Sequence, residues 1–272
     1  MAARRSRLTL ARPRRLRDAL RLLAGQPLTP IAGCTDVYVG LQFGAVDATA
    51  FLDLWGLDEL RGICAAAGGV RLGALTTYTE IRASRLVQAR VPMLAAAASE
   101  IGGTQIQNRG TLGGNLANAS PAGDTLPVLL AADASLILQS ATGERRVPLS
   151  GFYTGYRQSV RRPDELIAAI EIPALAGRQW WRKVGTRLAQ AISKVMMAGV
   201  RGDAVRVAIG AVAPTVVLAA QASAALSAGR TIAEAQAALA ADIAPIDDLR
   251  STAEYRRAVA AHLLACFWSD TA

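Results

Sequence analysis

The residue types that build most metal and catalytic centres are scarce in this 272-residue chain. It has one histidine, His262, and three cysteines without paired spacing, Cys34, Cys64 and Cys266. These counts argue against a disulfide framework, a four-cysteine zinc or iron–sulfur site, and a histidine-based metal site or catalytic triad. Long apolar runs are missing as well, because Ser, Gln, Glu or Asp interrupts the alanine-rich stretches, so the sequence predicts no transmembrane segment.

Lysine is almost absent, so the positive charge of the chain comes from arginine. Lys183 and Lys194 are the only lysines, and the formal net charge is +9. Such a charge could attract nucleic acid or an acidic protein surface. Beyond the first segment the basic residues are scattered, and no helix-turn-helix or other reader motif occurs. We therefore expect no nucleic-acid binding.

The start of the chain is rich in arginine and poor in acidic residues, a composition that transit peptides share. It contains no apolar core of a secretory signal. Leu16, Leu20 and Leu23 recur at helical spacing, and Gly25 follows them. This pattern predicts a short amphipathic helix over residues 14–24, packed on the first sheet, and we favour it over a cleaved leader.

Turn-forming and polar residues are densest in residues 101–124, which hold six glycines, three hydroxyl residues and three asparagines. The adjacent Gly113 and Gly114 allow positive φ, so successive backbone amides could form a concave anion site, for phosphate above all. A single Gly-Gly pair is more often a plain tight turn, but this density favours a ligand site. Four side chains add donors for diphosphate or ribitol oxygens: Thr111, Asn115, Asn118 and Ser120.

A second glycine segment, residues 30–37, has the sequence Pro-Ile-Ala-Gly-Cys-Thr-Asp-Val. It lies between a predicted strand at residues 28–31 and a predicted helix from Val37. A strand, a glycine turn and a helix in this order aim backbone amides at phosphate. Neither G-x-G-x-x-G nor G-x-x-x-x-G-K-[ST] occurs in the chain, so a nucleotide cofactor would be held by a scaffold outside the Rossmann and P-loop classes.

The pattern of the chain changes after Pro173, and residues 174–178 are the best candidate for a domain boundary. Before it, strands alternate with helices, one of which opens with a capping box formed by Thr77 and Glu80. After it, strands precede helices, which indicates a small α+β domain. The pattern there predicts three antiparallel strands and then three helices, over residues 180–185, 193–200, 205–212, 216–227, 231–239 and 251–266. Capping boxes support the last two helices, Thr231 with Glu234 and Ser251 with Glu254.

Both glycine segments resemble the flavin-binding loops of one family. Residues 101–124 resemble the FAD-binding segment in the medium subunit of molybdenum hydroxylases, the xanthine dehydrogenase and aerobic carbon monoxide dehydrogenase family. Residues 30–37 resemble the family's other FAD loop, usually Ala-Gly-Gly-Thr-Asp, with Cys34 in place of the middle glycine. The resemblance extends through residues 155–157, 163–167 and Lys183 to Tyr255-Arg256-Arg257, and so covers nearly the whole chain.

The resemblance implies an α+β fold with two domains. A two-part FAD-binding domain of the PCMH (vanillyl-alcohol-oxidase-like) type would occupy residues 1–175, with subdomains of about 1–56 and 57–175. A C-terminal α+β domain of the CO dehydrogenase flavoprotein type, a three-stranded antiparallel sheet with helices, would occupy residues 176–272.

The resemblance also implies the residues of the FAD site, and it implies no catalytic or metal-binding residue in this chain. The implied set is Pro30, Ile31, Ala32, Gly33, Cys34, Thr35, Asp36, Val37, Ile101, Thr111, Leu112, Gly113, Gly114, Asn115, Ser120, Asp124, Ile167 and Lys183. Some of these have structural alternatives. Asp36 and Asp124 are both placed to cap a helix, and Ile101 and Ile167 to fill the core. Lys183 is either a cation that stabilises reduced flavin or an exposed strand lysine.

The function that the resemblance implies is electron transfer within a complex. FAD on this chain would receive electrons from a small [2Fe–2S] subunit that serves a large molybdopterin subunit, in a cytoplasmic dimer of heterotrimers. The external acceptor, NAD, quinone or oxygen, stays open, as does the substrate of the complex. The alternative is a self-contained flavin oxidoreductase, which would need a substrate acid/base pair that no histidine or paired carboxylates supply. A scaffold without flavin is a third reading, which the intact donors of both loops oppose.

Overall fold

The computed structural model describes residues 8–187 and 190–272. Arg4, Arg5 and Arg7 of the arginine-rich start lie outside the described residues. The first unit consists of β1 (Thr9–Ala11), α1 (Leu16–Gly25), β2 (Thr29–Ile31), α2 (Val37–Gln42) and β3 (Ala50–Asp53).

The first unit is a small parallel sheet, in the order β1-β3-β2, with α1 packed against it. Helix α1 buries Ala19, Leu20 and Leu23 and exposes its arginines, as the spacing of its leucines predicts. These side chains share a core with Leu52 of β3 and Leu57. Because β1 and β2 both run parallel to β3, the carboxyl ends of the three strands lie at the same end of the sheet. The first glycine segment begins there, at the carboxyl end of β2.

The second unit is built on a five-stranded antiparallel sheet in the order β4-β5-β10-β6-β7. Its core joins side chains of the sheet, such as Leu136 and Ile170, to helix residues such as Leu94 and Leu116. Its elements are β4 (Ile63–Ala66), β5 (Gly69–Gly73), α3 (Tyr78–Ala83), α4 (Arg85–Arg90), α5 (Pro92–Glu100), α6 (Thr104–Arg109), α7 (Leu112–Asn118), α8 (Thr125–Ala131), β6 (Ser135–Ser140), β7 (Gly143–Pro148), β8 (Tyr153–Gly155), β9 (Gln158–Ser159) and β10 (Leu166–Ile172).

The C-terminal unit has a four-stranded antiparallel sheet, so the prediction of three strands was wrong. The additional strand, β14, has only two residues, and the apolar sequence continues from it into the following helix. Sequence periodicity therefore could not distinguish this strand from the helix. The unit comprises β11 (Arg178–Val184), β12 (Val195–Arg201), β13 (Val205–Gly210), β14 (Val217–Leu218), α9 (Ala220–Ser227), α10 (Ile232–Asp242) and α11 (Ala253–Asp270).

The C-terminal sheet is buried on both faces. Ala198 and Val200 of β12 belong to the core of the second unit, whereas Val195 and Met197 belong to the C-terminal core with α9, α10 and α11. Alternate residues of a strand point to opposite faces, so β12 serves both cores. Strands β12 and β13 pack on α8 in this way. The neighbouring strand β11 is thereby held over the start of α8.

The predicted helix caps agree with the structure at two positions of three. Thr77 with Glu80 and Thr231 with Glu234 form complete capping boxes. The third prediction was wrong by one residue, because α11 is capped by Thr252, which accepts a hydrogen bond from the Tyr255 amide. The Ser251 amide instead donates to Asp248. Of the helices in residues 8–187 and 190–272, none has the length and apolar character needed to cross a bilayer.

Candidate functional site

The two glycine segments meet at Gly33. A Cβ atom placed on Gly33 would lie 1.7 Å from the carbonyl oxygen of Arg109, far inside van der Waals contact. Any side chain there would push the segments apart. Glycine at this position therefore lets the loop after β2 lie directly against the second segment where α6 ends.

The first segment presents backbone donors that the protein does not use. Within the described part of the chain, the amides of residues 33–37 donate to no protein acceptor, while the Tyr38 amide bonds to the Cys34 carbonyl as α2 begins. Cys34 adopts φ of 63°, the left-handed conformation that a glycine takes without strain. The loop keeps the turn despite the substitution, at a cost of about 1–3 kcal/mol.

The second segment is helical, so the predicted concave site of successive amides at Gly113 and Gly114 was wrong. Neither glycine has a positive φ, and both lie in α7. The Gly113 amide donates to the Ala74 carbonyl (2.8 Å), and the Gly114 amide donates to Thr111 Oγ1 (3.1 Å), which caps the helix. A good cap and close tertiary contacts outweigh the low helix propensity of glycine here.

The two glycines of α7 lack a side chain for different reasons: Gly113 allows close packing on the sheet, and Gly114 keeps a cavity wall free. A Cβ on Gly113 would lie 2.6 Å from the Cβ of Ala74, so this glycine lets α7 approach the second unit's sheet. A Cβ on Gly114 would lie 2.8 Å from Thr111 Oγ1, closer than a real Cβ contact, so the capping hydroxyl would have to shift. Gly114 also lines a cavity. Its bare backbone therefore leaves room for a ligand.

Both segments line one groove made of two joined cavities. The first has a volume of about 270 Å³ and the second about 410 Å³. Five residues line both cavities and form their joint: Thr35, Asp36, Tyr78, Asn115 and Asn118. The first cavity has apolar walls that include Leu54, Leu75 and Ile167. The groove is thus elongated, with an apolar end and a polar middle.

The groove collects most of the residues implied at the FAD site. The first cavity is lined by Pro30, Ile31, Ala32, Gly33, Cys34, Thr35, Asp36, Val37, Thr111, Gly113, Gly114, Asn115 and Ile167. The second adds Ile101, Ser120 and Asp124. Leu112 and Lys183 line neither cavity. The Leu112 side chain is fully buried in the core, and its amide donates to the Thr76 carbonyl.

Asp124 and Lys183 form a buried ion pair at the second cavity. Lys183 Nζ donates to Asp124 Oδ2 (2.7 Å), and their side chains are 5% and 9% exposed. The Ser193 hydroxyl donates to the other carboxylate oxygen. Burial raises the pKa of Asp124, against the lowering effects of Lys183 and Ser193. Lys183 is therefore not an exposed strand lysine.

The capping alternatives for the two aspartates were wrong. The side chains of Asp36 and Asp124 accept no capping hydrogen bond from the helices that follow them, and both residues have helical backbone angles. Asp36 lines the joint of the groove and Asp124 the second cavity. Neither carboxylate is therefore committed to a helix end, and that of Asp124 is held instead by Lys183 and Ser193.

Tyr78 is a groove residue that reasoning from the sequence missed. It follows Thr77 as the first residue of α3 and is only 4% exposed, yet it lines both cavities. The one sequence signal was its position directly after the capping residue Thr77. Thr77 forms a β-bridge with Thr111, which brings the start of α3 to the second glycine segment.

In the described residues, no three His, Cys, Asp or Glu side chains are grouped closely enough to hold a metal ion.

A groove lined by an amide loop without protein acceptors and by a glycine-bearing helix has the shape and the donors that an elongated, phosphate-bearing cofactor requires. The family described as "FAD binding domain in molybdopterin dehydrogenase" matches residues 6–175, and the family described as "CO dehydrogenase flavoprotein C-terminal domain" matches residues 180–271. The chain belongs to this family of FAD-binding subunits of molybdenum-containing dehydrogenases, which are FAD-dependent oxidoreductases.

Individual relatives agree with this placement. The carbon monoxide dehydrogenase medium chain of Hydrogenophaga pseudoflava is 30% identical over 266 residues, 93% of this chain and 92% of that protein. The xanthine dehydrogenase FAD-binding subunit of Escherichia coli O157:H7 is 39% identical over 160 residues, 58% of this chain and 55% of that protein. A solved structure of carbon monoxide dehydrogenase from Hydrogenophaga pseudoflava, lacking the Mo-pyranopterin moiety, matches with TM-score 0.91 at 29% identity, over 98% of this chain and 99% of that one.

Proposed function

We propose that this chain is the electron-transfer subunit of a molybdenum hydroxylase, carrying electrons from [2Fe–2S] clusters on a partner to an external acceptor such as NAD, quinone or oxygen. The observation that carries the proposal is the two-cavity groove, whose joint is built by both glycine segments. Bound FAD supplies the redox chemistry, while the protein supplies position and electrostatics.

The residues present fit FAD. The five amides of residues 33–37 that lack protein acceptors would donate to the diphosphate, and Gly114 leaves its backbone accessible beside them. The apolar walls at Leu54 and Leu75 suit a ring system. The proposed binding residues are those implied by the resemblance, with Leu112 and Lys183 acting behind the groove surface rather than on it.

Lys183 acts on the groove through Asp124. A lone buried carboxylate is costly, and the ion pair to Lys183 with the Ser193 hydrogen bond offsets part of that cost. The pair keeps Asp124 at the wall of the second cavity, where it can accept a hydrogen bond from a ribityl or ribose hydroxyl. Lys183 of β11 and Ser193, just before β12, thus position the groove residue that precedes α8, which ties the C-terminal unit to the proposed site.

The proposed partners are a small [2Fe–2S] subunit and a large molybdopterin subunit, in a dimer of heterotrimers. The relative from Hydrogenophaga pseudoflava is described as a medium chain, a name that belongs to a multi-subunit enzyme. The boundary near residues 175–176 is proposed as the division between the FAD-binding and C-terminal domains, in line with the two family matches. The three cysteines are free, as in a reducing compartment, which supports the proposed cytoplasmic location.

Purification of the native complex tests this proposal. The chain should co-purify with two further subunits, and the preparation should contain FAD, iron and molybdenum. Isolated chain stripped of flavin should take up one equivalent of FAD in a titration. A chain that binds FAD, purifies alone and oxidises a substrate would favour the self-contained oxidoreductase instead.

A further inference from the structure

The side chain of Tyr78 lies where the two cavities join. Its ring packs against Gly110, where an added Cβ would lie 2.6 Å from Tyr78 Cε2. The Tyr78 amide also donates to the Gly110 carbonyl (3.3 Å). Gly110 belongs to the segment between α6 and α7, so the absence of a side chain there gives the ring its place. Gly110 therefore fixes Tyr78 in two ways, through a hydrogen bond to its backbone amide and through contact with one edge of its ring.

The hydroxyl of Tyr78 has no hydrogen-bond partner in the described part of the chain, although the residue as a whole is only 4% exposed. It is not among the fully buried polar atoms that lack a partner there, so it opens onto the joint of the two cavities. Tyr153, by contrast, is satisfied within the protein, since its hydroxyl donates to the Leu116 carbonyl (3.0 Å). The Tyr78 hydroxyl is therefore a donor that the protein leaves available to a ligand in the groove.

The surroundings of Tyr78 keep its hydroxyl protonated. Burial raises the pKa of Tyr78 far above its usual value, and the carboxylates of Asp36 and Asp124 raise it further. The side chain is thus a neutral hydrogen-bond donor at every physiological pH. Asp36 lines the joint as well, so the protonated phenol adds a neutral hydrogen-bond donor beside that carboxylate.

We propose that the Tyr78 hydroxyl binds the diphosphate of FAD, donating a hydrogen bond to a phosphate oxygen at the joint of the two cavities. This inference rests on the proposed FAD site and names a residue that neither glycine segment contains. Diphosphate oxygens accept hydrogen bonds and cannot donate them, which suits a phenol. The joint is also the part of the groove where the amides of Thr35 and Asp36 lack protein acceptors.

The variant Tyr78→Phe tests the proposal on the full chain after its flavin is removed. Affinity is measured for FAD, for ADP, which carries the diphosphate, and for riboflavin, which does not. We expect about tenfold weaker binding of FAD, equivalent to about 1.4 kcal/mol. ADP should weaken by a similar factor, and riboflavin should bind as it does to the unaltered chain. The matched control is Tyr38→Phe. Tyr38 directly follows the first glycine segment and is 72% exposed, so this change should alter none of the three affinities.

Thermal unfolding of the flavin-free proteins separates ligand binding from a structural role. Because the Tyr78 hydroxyl has no protein partner, Tyr78→Phe should unfold at the same temperature as the unaltered chain or higher. A lower unfolding temperature with unchanged FAD affinity would make the hydroxyl structural and overturn the proposal. Loss of riboflavin binding without loss of ADP binding would overturn it as well. If the unaltered chain bound no FAD, the proposed function itself would fail.

Discussion

Lys183 and Asp124 join two units of the protein through one buried ion pair. The residues are 59 positions apart, one on strand β11 and the other at the start of α8, and Lys183 Nζ lies 2.7 Å from Asp124 Oδ2. Lys183 Nζ also lies 3.4 Å from the Glu100 carbonyl oxygen. Lys183 holds a groove carboxylate but does not line the groove itself. Loss of the ion pair should therefore lower the free energy of unfolding more than it changes the redox properties of the flavin.

Replacing Lys183 by methionine should destabilise the protein, because it leaves the Asp124 carboxylate buried without its cation. Breaking one side of a buried pair costs about 3–5 kcal/mol. Urea unfolding of the flavin-free chain measures the loss. The control is Lys194→Met, which removes the only other lysine, a cation 5.1 Å from the Tyr255 ring, and should cost less than about 1 kcal/mol. Equal losses in the two variants would contradict the special role of the pair.

The destabilisation by Lys183→Met should depend on pH. Burial already raises the pKa of Asp124, and Lys183 opposes that rise, so its removal raises the pKa further. A carboxyl group whose pKa is higher in the folded than in the unfolded protein favours folding at low pH and loses that contribution as the pH rises through the folded value. The stability difference between variant and parent should therefore be smaller at pH 5 than at pH 8. A difference that is constant over this range would contradict a buried carboxylate.

Gly114→Val should lower FAD content more than it harms folding. The valine side chain would occupy the cavity wall where the backbone is bare, and its Cβ would press on Thr111 Oγ1. We expect a loss of about 1–3 kcal/mol in stability and purified protein that is nearly colourless. Gly25→Val is the control, because that glycine ends α1 with no atom within 4 Å of an added Cβ. If Gly114→Val kept its full flavin content, the groove wall at α7 would not be the FAD site.

Cys34→Gly should stabilise the chain, which is the opposite of what glycine substitutions usually do. Cys34 has a φ of 63°, and relief of the left-handed strain outweighs the entropy that glycine adds to the unfolded chain. The expected gain is up to about 1 kcal/mol in the free energy of unfolding, with FAD loading retained. Cys64→Gly, in the extended strand β4, should instead lose stability. Destabilisation by both changes would show that the Cys34 side chain supports the loop.

FAD should be bound without a covalent link. Of the three cysteines, all in described regions, only Cys34 lines the groove. Burial raises the pKa of the Cys34 thiol, and Asp53 raises it further, so little of the nucleophilic thiolate forms. Acid precipitation of the holoprotein should release yellow FAD to the supernatant. Flavin that stays in the pellet of the parent chain but not of Cys34→Ala would identify a thiol link.

Elements with strong local signals were predictable from the sequence. The leucine spacing of α1 and the threonine caps of α3 and α10 are set by residues three or four positions apart. The antiparallel C-terminal sheet was predictable in type but not in strand number. Helix α7 was not predictable, because the contact of Gly113 with Ala74, which lies far away in the sequence, decides against the turn that the glycines suggest.

The site was predictable where it depends on sequence motifs and not where it depends on long-range contacts. The groove-lining positions of both glycine segments follow from the motifs. The partner of Lys183 lies 59 residues away, so no local pattern could reveal it. The capping residue Thr77 marks the start of α3 locally, but the place of Tyr78 at the cavity joint depends on the distant Gly110. Long-range contacts of this kind become visible only when the chain is folded.

The most direct test of the electron-transfer account compares the isolated, FAD-loaded chain with the chain rejoined to its two partner subunits. Flavin absorbance is followed without oxygen after addition of a substrate of the complex, tried among purines, aldehydes, N-heterocycles and carbon monoxide. If the chain relays electrons, flavin in the isolated chain stays oxidised, and flavin in the reassembled complex is reduced by one of these substrates. Reduction of the isolated chain at the rate of the complex would contradict electron relay and identify a self-contained oxidoreductase.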